Sequence, residues 1–397
     1  MQHKSHSRRN FLKLSGLSLA GLPLILSACS ATKQSPAGTS YMVYVGTYAK
    51  PEDESIFGYR LNPATGELTR ALAVKGGENP SYLMVNTRRE YLYAVNEVGE
   101  YKGKKGGGLS AFTIDQKTGD LTFLIEQSTV GGSPCYISAD GSGNFLFVAN
   151  YMGGNVCVFP VQPNKEVGPA SDMEQHIGSG KNKKRQEAAH AHCIISGPGN
   201  EFVFAVDLGL DKVYAYKLDN TSGKLSLQKK PAFTSKPGSG PRHLVFHPNG
   251  RYAYLIHELN STMVALSYDA KTGSFKELQT ISTLPEDFTG ESYCADVHVS
   301  ADGKFLYGSN RGHNSLVVYA IDTENGQLTL VQHADTQGDW PRNFTLDPSG
   351  QILLVANERS NNIVTYRIDT QSGMLTPTGV SVEVPAPVCL QVVPDFG

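Results

Sequence analysis

The stretch GPRHLVFHPNGRYAYLIHE, residues 240–258, contains the repeating unit of the chain. Two apolar runs of strand-forming residues, 244–246 and 252–256, flank the sequence His-Pro-Asn-Gly at 247–250. Pro presets φ and Asn-Gly tolerates a positive φ, so the tetrapeptide predicts a turn and the whole stretch predicts a β-hairpin. The start of the first strand and the end of the second lie at the same open end of a hairpin. We therefore expect Arg242 and Glu258 to be neighbours.

The same pattern recurs along the chain and alternates with a second turn. Further copies of the hairpin span residues 80–97, 134–151, 192–207, 295–311 and 341–359. The second turn ends in a glycine at positions 66, 119, 223, 273, 326 and 373. These glycines are about 50 residues apart, except for one doubled gap in which residues 163–168 form a degenerate copy. Six clear copies and one degenerate copy predict seven units.

Two hairpin turns per unit imply four strands per unit, which is typical of propeller blades and not of helical solenoids. No long segment has an apolar stripe of period 3.6, and Val, Tyr, Phe and Thr dominate the apolar runs. We predict an all-β fold, a seven-bladed β-propeller of four-stranded antiparallel blades. Residues 42–48 match the second strand of a unit and residues 387–393 match the first. The two chain ends are therefore expected to complete one blade and close the ring.

The N-terminal residues carry export signals. The sequence SRRNFLK at 7–13 matches the twin-arginine signal, and the apolar stretch 14–26 is too short to predict a membrane span. The sequence LSAC at 26–29 resembles a bacterial lipobox, which would make Cys29 the lipidated first residue; the alternative is a cleaved secretory signal with an incidental Cys. We predict a signal peptide at 1–28, a tether at 29–40 and the propeller at 41–397. The protein would be an exported lipoprotein of the cell envelope, on the periplasmic side of the inner or outer membrane, with a lipid anchor as its only membrane contact.

Composition argues against several other functions. The 35 Lys and Arg residues against 37 Asp and Glu give a net charge of −2, so no nucleic-acid partner is predicted. The one basic cluster, residues 181–185, is interpreted as a solvated loop. No dinucleotide-binding, Walker or nucleophile-elbow motif is present, and we predict no cofactor and no metal. Five further cysteines lie in strand-like runs without CxxC spacing, and we expect them to be buried apolar residues: Cys135, Cys157, Cys193, Cys294 and Cys389.

Polar residues concentrate at the starts of first strands and the ends of second strands. In a propeller, these positions from all blades meet at one rim of the central channel. Strand ends in any sheet favour Asn and Asp, so turn formation explains many of the asparagines. Arginines converging on one cavity repel each other unless an anion is bound there, which indicates a binding site. The predicted substrate-binding residues are Glu97, Asp207, His243, His298, Asn310, Arg342 and Asn343.

Five motifs have a common resemblance. They are RQEAAHAH at 185–192, PRH at 241–243 with FHPNGR at 246–251, Glu258, SNRG at 309–312 and PRN at 341–343. Together they resemble the seven-bladed propeller lactonase family, which includes the propeller type of 6-phosphogluconolactonase and the fungal carboxymuconate lactonizing enzyme. The likeness covers essentially the whole mature chain. For the lactonizing member a His, two Arg and a Glu of the central channel are the proposed working set. By motif, the resemblance places the catalytic set here on His190 or His192, Arg242, Glu258 and Arg311.

The resemblance, taken with the export signals, predicts an exported lactonase, and these residue types permit it to hydrolyse a sugar lactone without a metal. Glu258 would activate water, the two arginines would hold a carboxylate or phosphate and the oxyanion, and a His would pass a proton to the leaving alkoxide. An Arg beside Glu258 should lower the pKa of that carboxyl, which favours His190 or His192 as the base. Export favours an unphosphorylated aldonolactone over an intracellular phosphorylated one. The predicted partner is a small lactone or carboxylate. The alternatives are a muconate-type cycloisomerase and a non-catalytic propeller that binds a ligand or a partner.

Overall fold

A computed structural model of the chain describes residues 40–162 and 166–396. These residues form seven antiparallel sheets of four principal strands, one small extra hairpin and one 3-10 turn at Pro198–Asn200. The predicted all-β fold and the predicted seven-bladed propeller are confirmed. The predicted signal peptide, Cys29 and nearly all of the tether lie outside the described residues and stay predictions. No helix in the described ranges is long and apolar enough to cross a membrane.

The strands of each blade follow the chain from the channel outward. Blade 1 contains β1 (Tyr41–Thr47), β2 (Ile56–Leu61) and β3 (Leu68–Val74). Blade 2 contains β4 (Pro80–Val85) and β5 (Tyr91–Asn96), the small hairpin β6 (Glu100–Tyr101) and β7 (Lys104–Lys105), and then β8 (Gly108–Ile114) and β9 (Leu121–Ser128). Blade 3 contains β10 (Pro134–Ala139), β11 (Phe145–Asn150), β12 (Asn155–Pro160) and β13 (Asp172–Gln175).

The remaining blades repeat this order. Blade 4 contains β14 (Ala191–Ser196), β15 (Phe202–Asp207), β16 (Lys212–Asp219) and β17 (Lys224–Leu227), with the short β18 (Phe233–Thr234) beside β16. Blade 5 contains β19 (Pro241–Phe246), β20 (Tyr252–His257), β21 (Thr262–Asp269) and β22 (Ser274–Ser282). Blade 6 contains β23 (Tyr293–Val299), β24 (Phe305–Arg311), β25 (Ser315–Ile321) and β26 (Leu328–Asp335). Blade 7 contains β27 (Pro341–Leu346), β28 (Ile352–Asn357), β29 (Asn362–Ile368) and β30 (Leu375–Glu383), and β31 (Pro387–Pro394) follows it.

The ring closes through both ends of the described chain. Strand β31 is the innermost strand of blade 1 and pairs antiparallel with β1, with Met42 opposite Val393. The predicted closure is confirmed, and β31 covers the inner edge that β1 would otherwise leave unpaired. Ser40, which the prediction placed in the tether, already belongs to the closed ring, because its hydroxyl donates a 2.6 Å hydrogen bond to Asp395.

The turns form for the reasons that the sequence indicated. In the hairpin of blade 5, Gly250 has a φ of 68° and its N–H donates to the carbonyl of His247 at 2.9 Å. The second turn uses its leading Asp as a cap. The carboxylate of Asp115 accepts the N–H groups of Lys117 and Thr118 at 2.8 and 2.9 Å, which brings the chain around to Gly119 at a φ of 78°.

The hydrophobic core lies between blades. It consists of seven clusters, and each cluster joins the facing sides of two adjacent blades. Tyrosines of second strands tie the blades together, because Tyr44, Tyr254 and Tyr307 each donate a hydrogen bond to the glycine carbonyl of the next blade's second turn. The five cysteines in the described ranges are free and buried, as expected. Strong packing between neighbours fixes the blade ends that carry the site.

Candidate active site

A β-bulge at the start of every inner strand takes one or two residues out of the pairing with the second strand. In blade 5, Pro241 pairs with His257, but the next pair is His243 with Ile256, so Arg242 is skipped. Such a bulge re-aims the extra side chain. The same shift recurs in all seven blades. The skipped residues, here called the bulge ring, are Ser81, Cys135, His192, Arg242, Ala295 with Asp296, Arg342 and Val388.

A second ring lies beside the bulge ring. In six blades the residue after the second strand donates its N–H to the carbonyl of the residue before the inner strand, as Glu258 does to Gly240 at 2.7 Å. This second ring places Glu258 beside Arg242, so the hairpin prediction is confirmed. The residues so placed are Tyr48, Glu97, Tyr151, Leu208, Glu258 and Glu358.

Glu258 lies at the centre of three arginines. Its Oε2 is 3.1 Å from Nε of Arg242 and 2.9 Å from Nη2 of Arg311, and its Oε1 is 2.5 Å from Nη2 of Arg185. Glu258, Arg242 and Arg311 are nearly inaccessible to solvent. Burial alone would raise the pKa of Glu258, but Arg311, Arg242 and Arg185 lower it to about 2. Glu258 is therefore a carboxylate that holds arginines, and it is a poor proton acceptor at neutral pH.

The arginines carry more charge than Glu258 neutralises. Nη1 of Arg242 contacts His243 and the carbonyl of Ala295, and Nε and Nη2 of Arg311 donate to carbonyls of β23. Among the described residues, Nη2 of Arg242 and Nη1 of Arg311 have no protein partner. Neither is one of the solvent-inaccessible polar atoms that lack a hydrogen bond, so both keep some access to solvent. These two groups are free to donate to an anion or a developing oxyanion in the channel mouth.

The structure separates the two histidines that the sequence left open. His192 belongs to the bulge ring, and its Nδ1 is 3.7 Å from Sγ of Cys135. Its Nε2 has no protein partner in the described part of the chain. Burial, together with Arg242 and other cations, holds the pKa of His192 well below its usual value. His192 is thus a neutral imidazole with a free nitrogen that can accept a proton, although its lowered pKa makes it a weaker base than an ordinary histidine.

His190 has no such free nitrogen. Its Nδ1 is 3.0 Å from the carbonyl of Tyr151, and its Nε2 is 3.0 Å from Oε1 of Glu187. Its ring stacks on that of Tyr151, with centroids 4.4 Å apart. Because both ring nitrogens face acceptor oxygens, His190 braces the loop before β14 and has no nitrogen left for a water.

A hydrogen-bonded chain leads from Arg242 into the channel. Nε2 of His243 contacts Arg242 at 3.0 Å and its Nδ1 contacts Asp296 at 2.8 Å, so the Nδ1–H tautomer donates to the carboxylate. Burial and Arg242 lower the pKa of His243 to about 4. Asp296 also contacts Nε2 of His298 at 3.0 Å and Nδ2 of Asn343 at 2.5 Å. His243, His298 and Asn343 therefore converge on Asp296, and His243 links this carboxylate to the guanidinium of Arg242.

Arg342 and Glu97 form another part of the mouth. Their closest atoms, Nη2 and Oε2, are 3.6 Å apart, and the hydroxyl of Tyr48 donates to Glu97 at 2.9 Å. The guanidinium of Arg342 lies 5.3 Å from the centroid of the Tyr48 ring. Arg342 belongs to the bulge ring and Glu97 to the second ring, so both lie at the same blade ends as Arg242 and Glu258.

Two predicted binding residues are used elsewhere. Nδ2 of Asn310 donates to the carbonyl of Thr283 and to Ser315, and the side chain is fully buried within blade 6. Asp207 accepts the N–H groups of His190 and Leu210 and pairs with Nδ1 of His176 at 2.6 Å. Neither contacts the arginines, because Asn310 bonds the connection between β22 and β23 and Asp207 bonds His176 and the backbone on either side of the blade 4 hairpin. The same bond to a loop carbonyl is made by Asn96, Asn150 and Asn357.

Sequence reasoning missed Arg185 and the aromatic residues of the mouth. Arg185 was interpreted as part of a solvated loop, but it reaches Glu258 and the hydroxyl of Tyr151. The signal that pointed to it was its place at the start of the RQEAAHAH motif. Trp340 and Tyr293 lie beside Arg311 and Arg185, and nothing in the sequence pattern singled them out.

Within the described ranges, no three His, Cys, Asp or Glu side chains are grouped closely enough to hold a metal ion. The chemistry that can be assigned to the mouth is that of its own side chains: a neutral imidazole as base, and two arginine groups as oxyanion donors.

Comparison with known proteins gives a consistent result. Residues 42–392 match the family model "Lactonase, 7-bladed beta-propeller". A 6-phosphogluconolactonase of Bacillus subtilis is 40% identical over 354 residues, which cover 89% of this chain and 98% of that protein. A 6-phosphogluconolactonase of Formosa agariphila is 39% identical over 313 residues, 78% of this chain and 87% of its own. The solved structure of a periplasmic gluconolactonase of Pseudomonas aeruginosa has a TM-score of 0.84 at 35% identity, over 89% of this chain and 99% of that chain.

Proposed function

The chain belongs to the seven-bladed β-propeller lactonase family, and on that premise we propose that it is an exported lactonase that hydrolyses an unphosphorylated sugar lactone. One observation carries the proposal. A neutral imidazole, His192, lies in the same channel mouth as Arg242 and Arg311, whose unpaired N–H groups face that mouth. A base and an oxyanion site in one mouth are the two requirements for adding water to a lactone carbonyl.

The mechanism assigns each residue a separate task. Nε2 of His192 takes a proton from a water molecule as the water attacks the lactone carbonyl carbon. Negative charge forms on the carbonyl oxygen, where Arg242 and Arg311 stabilise it. The ring C–O bond then breaks, and the protonated His192 returns the proton to the leaving alkoxide, which becomes the hydroxyl of an open-chain acid. Glu258 takes no proton; it holds the arginines in place.

The charge of the mouth suits a neutral substrate. Three arginines surround one carboxylate, so the group around Glu258 keeps an excess positive charge. A neutral lactone gains negative charge only as the reaction proceeds. The arginines would then bind the transition state more strongly than the lactone, which is how binding energy accelerates a reaction. The relative named periplasmic gluconolactonase supports an unphosphorylated substrate, whereas the relatives named 6-phosphogluconolactonase favour a phosphorylated one.

The proposed location rests on the N-terminal sequence. The twin-arginine motif at 7–13 and the lipobox at 26–29 support export and lipidation at Cys29, on the periplasmic side of a membrane. Labelling with a palmitate analogue, compared between the natural chain and Cys29→Ser, tests the anchor. Loss of the label in the variant supports it, and an unlabelled natural chain contradicts it.

The activity is tested with two arginine variants and a matched control. Arg311→Met and Arg242→Met keep the side-chain length but remove the charge. After the spontaneous hydrolysis rate is subtracted, each variant should show a kcat/KM for D-glucono-δ-lactone at least ~100-fold below that of the wild type. Arg251→Met is the control, because Arg251 is an exposed residue of the β19–β20 turn, at the opposite end of the hairpin from Arg242 and Glu258, and donates to the carbonyl of Thr323. Folded Arg311 and Arg242 variants with unchanged turnover would defeat the proposal. Assays with 6-phosphogluconolactone and cis,cis-muconate decide between the proposed substrate, its phosphorylated form and a cycloisomerase reaction.

A further inference from the structure

Trp340 is the one tryptophan of the chain, and it stands at the rim of the channel mouth. It immediately precedes Pro341, the first residue of β27, and Arg342 of the bulge ring follows. The centroid of its ring is 5.4 Å from Cζ of Arg311, which in turn contacts Glu258. The indole is only partly buried. It therefore borders the proposed oxyanion site while part of its surface stays open.

The backbone at Trp340 has a conformation that disfavours a large side chain. Its φ is 67°, in the left-handed region. The same position precedes the inner strand in every blade, and five inner strands begin with Pro. In the other four of these, the position also has a positive φ but holds a small residue: Asn79, Ser133, Gly240 and Ala386. Among these five blades the positive φ favours a small residue at this position, and only blade 7 has an aromatic one.

The surroundings hold Trp340 firmly in this conformation. Its N–H donates to Oδ1 of Asn314 at 3.0 Å, and the same oxygen accepts the N–H of Gly312, the residue after Arg311. Its carbonyl accepts the N–H of Glu358 at 3.1 Å. The guanidinium of Arg359 lies 3.3 Å from the ring centroid, a distance that an atom can reach only by stacking on the ring face. Strain that is held by so many contacts points to a functional requirement.

We propose that the indole of Trp340 is the platform on which the sugar ring of the substrate packs, so that Trp340 sets specificity in the proposed lactonase reaction. The C–H bonds of a sugar ring form an apolar face that packs on an aromatic ring, while its hydroxyls remain free for the polar groups of the mouth. Arg359 supports the indole and Arg311 lies next to it, so a ring on this platform lies near the proposed oxyanion donors. Such a contact is made equally in the bound state and the transition state. It therefore lowers KM and leaves kcat nearly unchanged.

Fluorescence of the unmodified protein gives the first test. Emission excited at 295 nm comes from Trp340 alone, since no other Trp is present. Titration with D-glucono-δ-lactam, which resists hydrolysis, should change this emission saturably, at the concentrations that inhibit lactone hydrolysis. The open-chain polyol sorbitol should not. Emission that stays constant at inhibitory concentrations of the lactam would overturn the proposal.

Kinetics of three variants give the second test. Trp340→Asn places in blade 7 the residue that blade 2 uses at this position, so backbone strain falls while the platform is lost. We expect KM to rise at least about tenfold and kcat to stay within about threefold. Trp340→Phe keeps an aromatic ring and should keep KM within about threefold. Ala386→Asn is the matched control in blade 1 and should change neither constant. An unchanged KM in Trp340→Asn would overturn the proposal even if the wild-type emission responds.

The inference rests on the proposed function, and the two tests separate the failures. If the wild-type protein hydrolyses no lactone but its emission responds to the lactam, the proposed reaction falls and the platform stands as a ligand contact. If hydrolysis proceeds but the lactam leaves the emission constant, the platform falls and the reaction stands.

Discussion

Replacing Glu258 by Gln should destabilise the protein by an amount that can be worked out from its surroundings. The three arginines lower the pKa of Glu258 from 4.5 to about 2. A tenfold change in proton affinity is worth about 1.4 kcal/mol, so the charged carboxylate contributes about 3 kcal/mol to the stability of the fold. Loss of one partner from a buried ion pair costs a similar ~3–5 kcal/mol. Gln keeps the shape of the side chain and removes only the charge.

The sign of the effect fixes its pH dependence. The folded pKa lies below the unfolded value, so the stabilisation is complete above pH 4.5 and is lost as the pH falls through 2. The difference between wild type and Glu258→Gln should therefore shrink from about 3 kcal/mol at pH 7 to roughly 1.5 kcal/mol at pH 3. With ~2.1 cal/mol/K per residue over about 350 residues, 3 kcal/mol corresponds to about 4 °C in Tm.

Urea unfolding at pH 7 and pH 3, with thermal unfolding alongside, measures this difference. Glu201→Gln is the matched control, because Glu201 pairs with Lys217 at 3.1 Å but both side chains are about half exposed. That change should cost less than about 0.5 kcal/mol. An equal, pH-independent effect of the two substitutions would refute the reasoning that Glu258 holds the arginines electrostatically.

Three further predictions concern the base, the acid limit and the loop of Arg185. His192→Gln should lower kcat by about 10²–10⁴ with little change in KM, whereas His190→Gln should cost less than tenfold, as measured by steady-state lactone hydrolysis. Stability should fall as the pH drops from 6.5 toward 4, because burial lowers the pKa of His243 to about 4 and that of His257 to about 3 in the folded protein. In the unfolded chain both histidines take up protons from pH 6.5 downward, so acid favours the unfolded state. Urea unfolding midpoints at pH 7, 5.5 and 4.5 measure this effect, and midpoints that do not change with pH would contradict it. Gly209→Ala should lower both Tm and kcat/KM, because the new Cβ would lie 2.0 Å from the carbonyl of Ala188 and push away the loop that carries Arg185; Gly99→Ala, which meets nothing within 4 Å, is the control.

The fold could be predicted from the sequence because its signals are local and repeated. The turns of each blade are marked by residues that tolerate a positive φ, such as Gly250 and Gly119. Because the unit recurs seven times, clear copies of a turn motif compensate for degenerate copies. Ring closure was also predictable, since residues 42–48 and 387–393 match complementary halves of one hairpin.

The site could be predicted only in part, because a single bulge decides where each side chain points. Arg242 and Glu258 are fixed by one hairpin, and their contact follows from its register. His190 and His192 are two residues apart, yet the bulge at β14 sends only His192 to the rim. Asn310 lies near the end of β24, as a binding residue would, but its amide bonds Thr283 in the connection between blades 5 and 6.

Arg185 illustrates a different limit. It comes from the loop between β13 and β14, residues 176–190, which is longer than the corresponding connections of the other blades, and it meets Glu258 from 73 positions away. No periodicity constrains such a loop. The sequence pattern could not identify Trp340 for a different reason: its position does recur in the repeat, but the repeat predicts a small residue there.

The pairing of β1 with β31 also affects how the protein folds during its synthesis. The ribosome makes β1 first and β31 last, with about 350 residues between them, and at ~5–20 residues per second this delay is roughly 20 to 70 s. During that time blade 1 lacks its inner strand, and the bare edge of β1 can pair with any other extended chain nearby. Closure of the seven-bladed ring thus depends on the eight-residue strand β31. A chain truncated before residue 387 would form an open ring in which the unpaired edge of β1 is prone to aggregation.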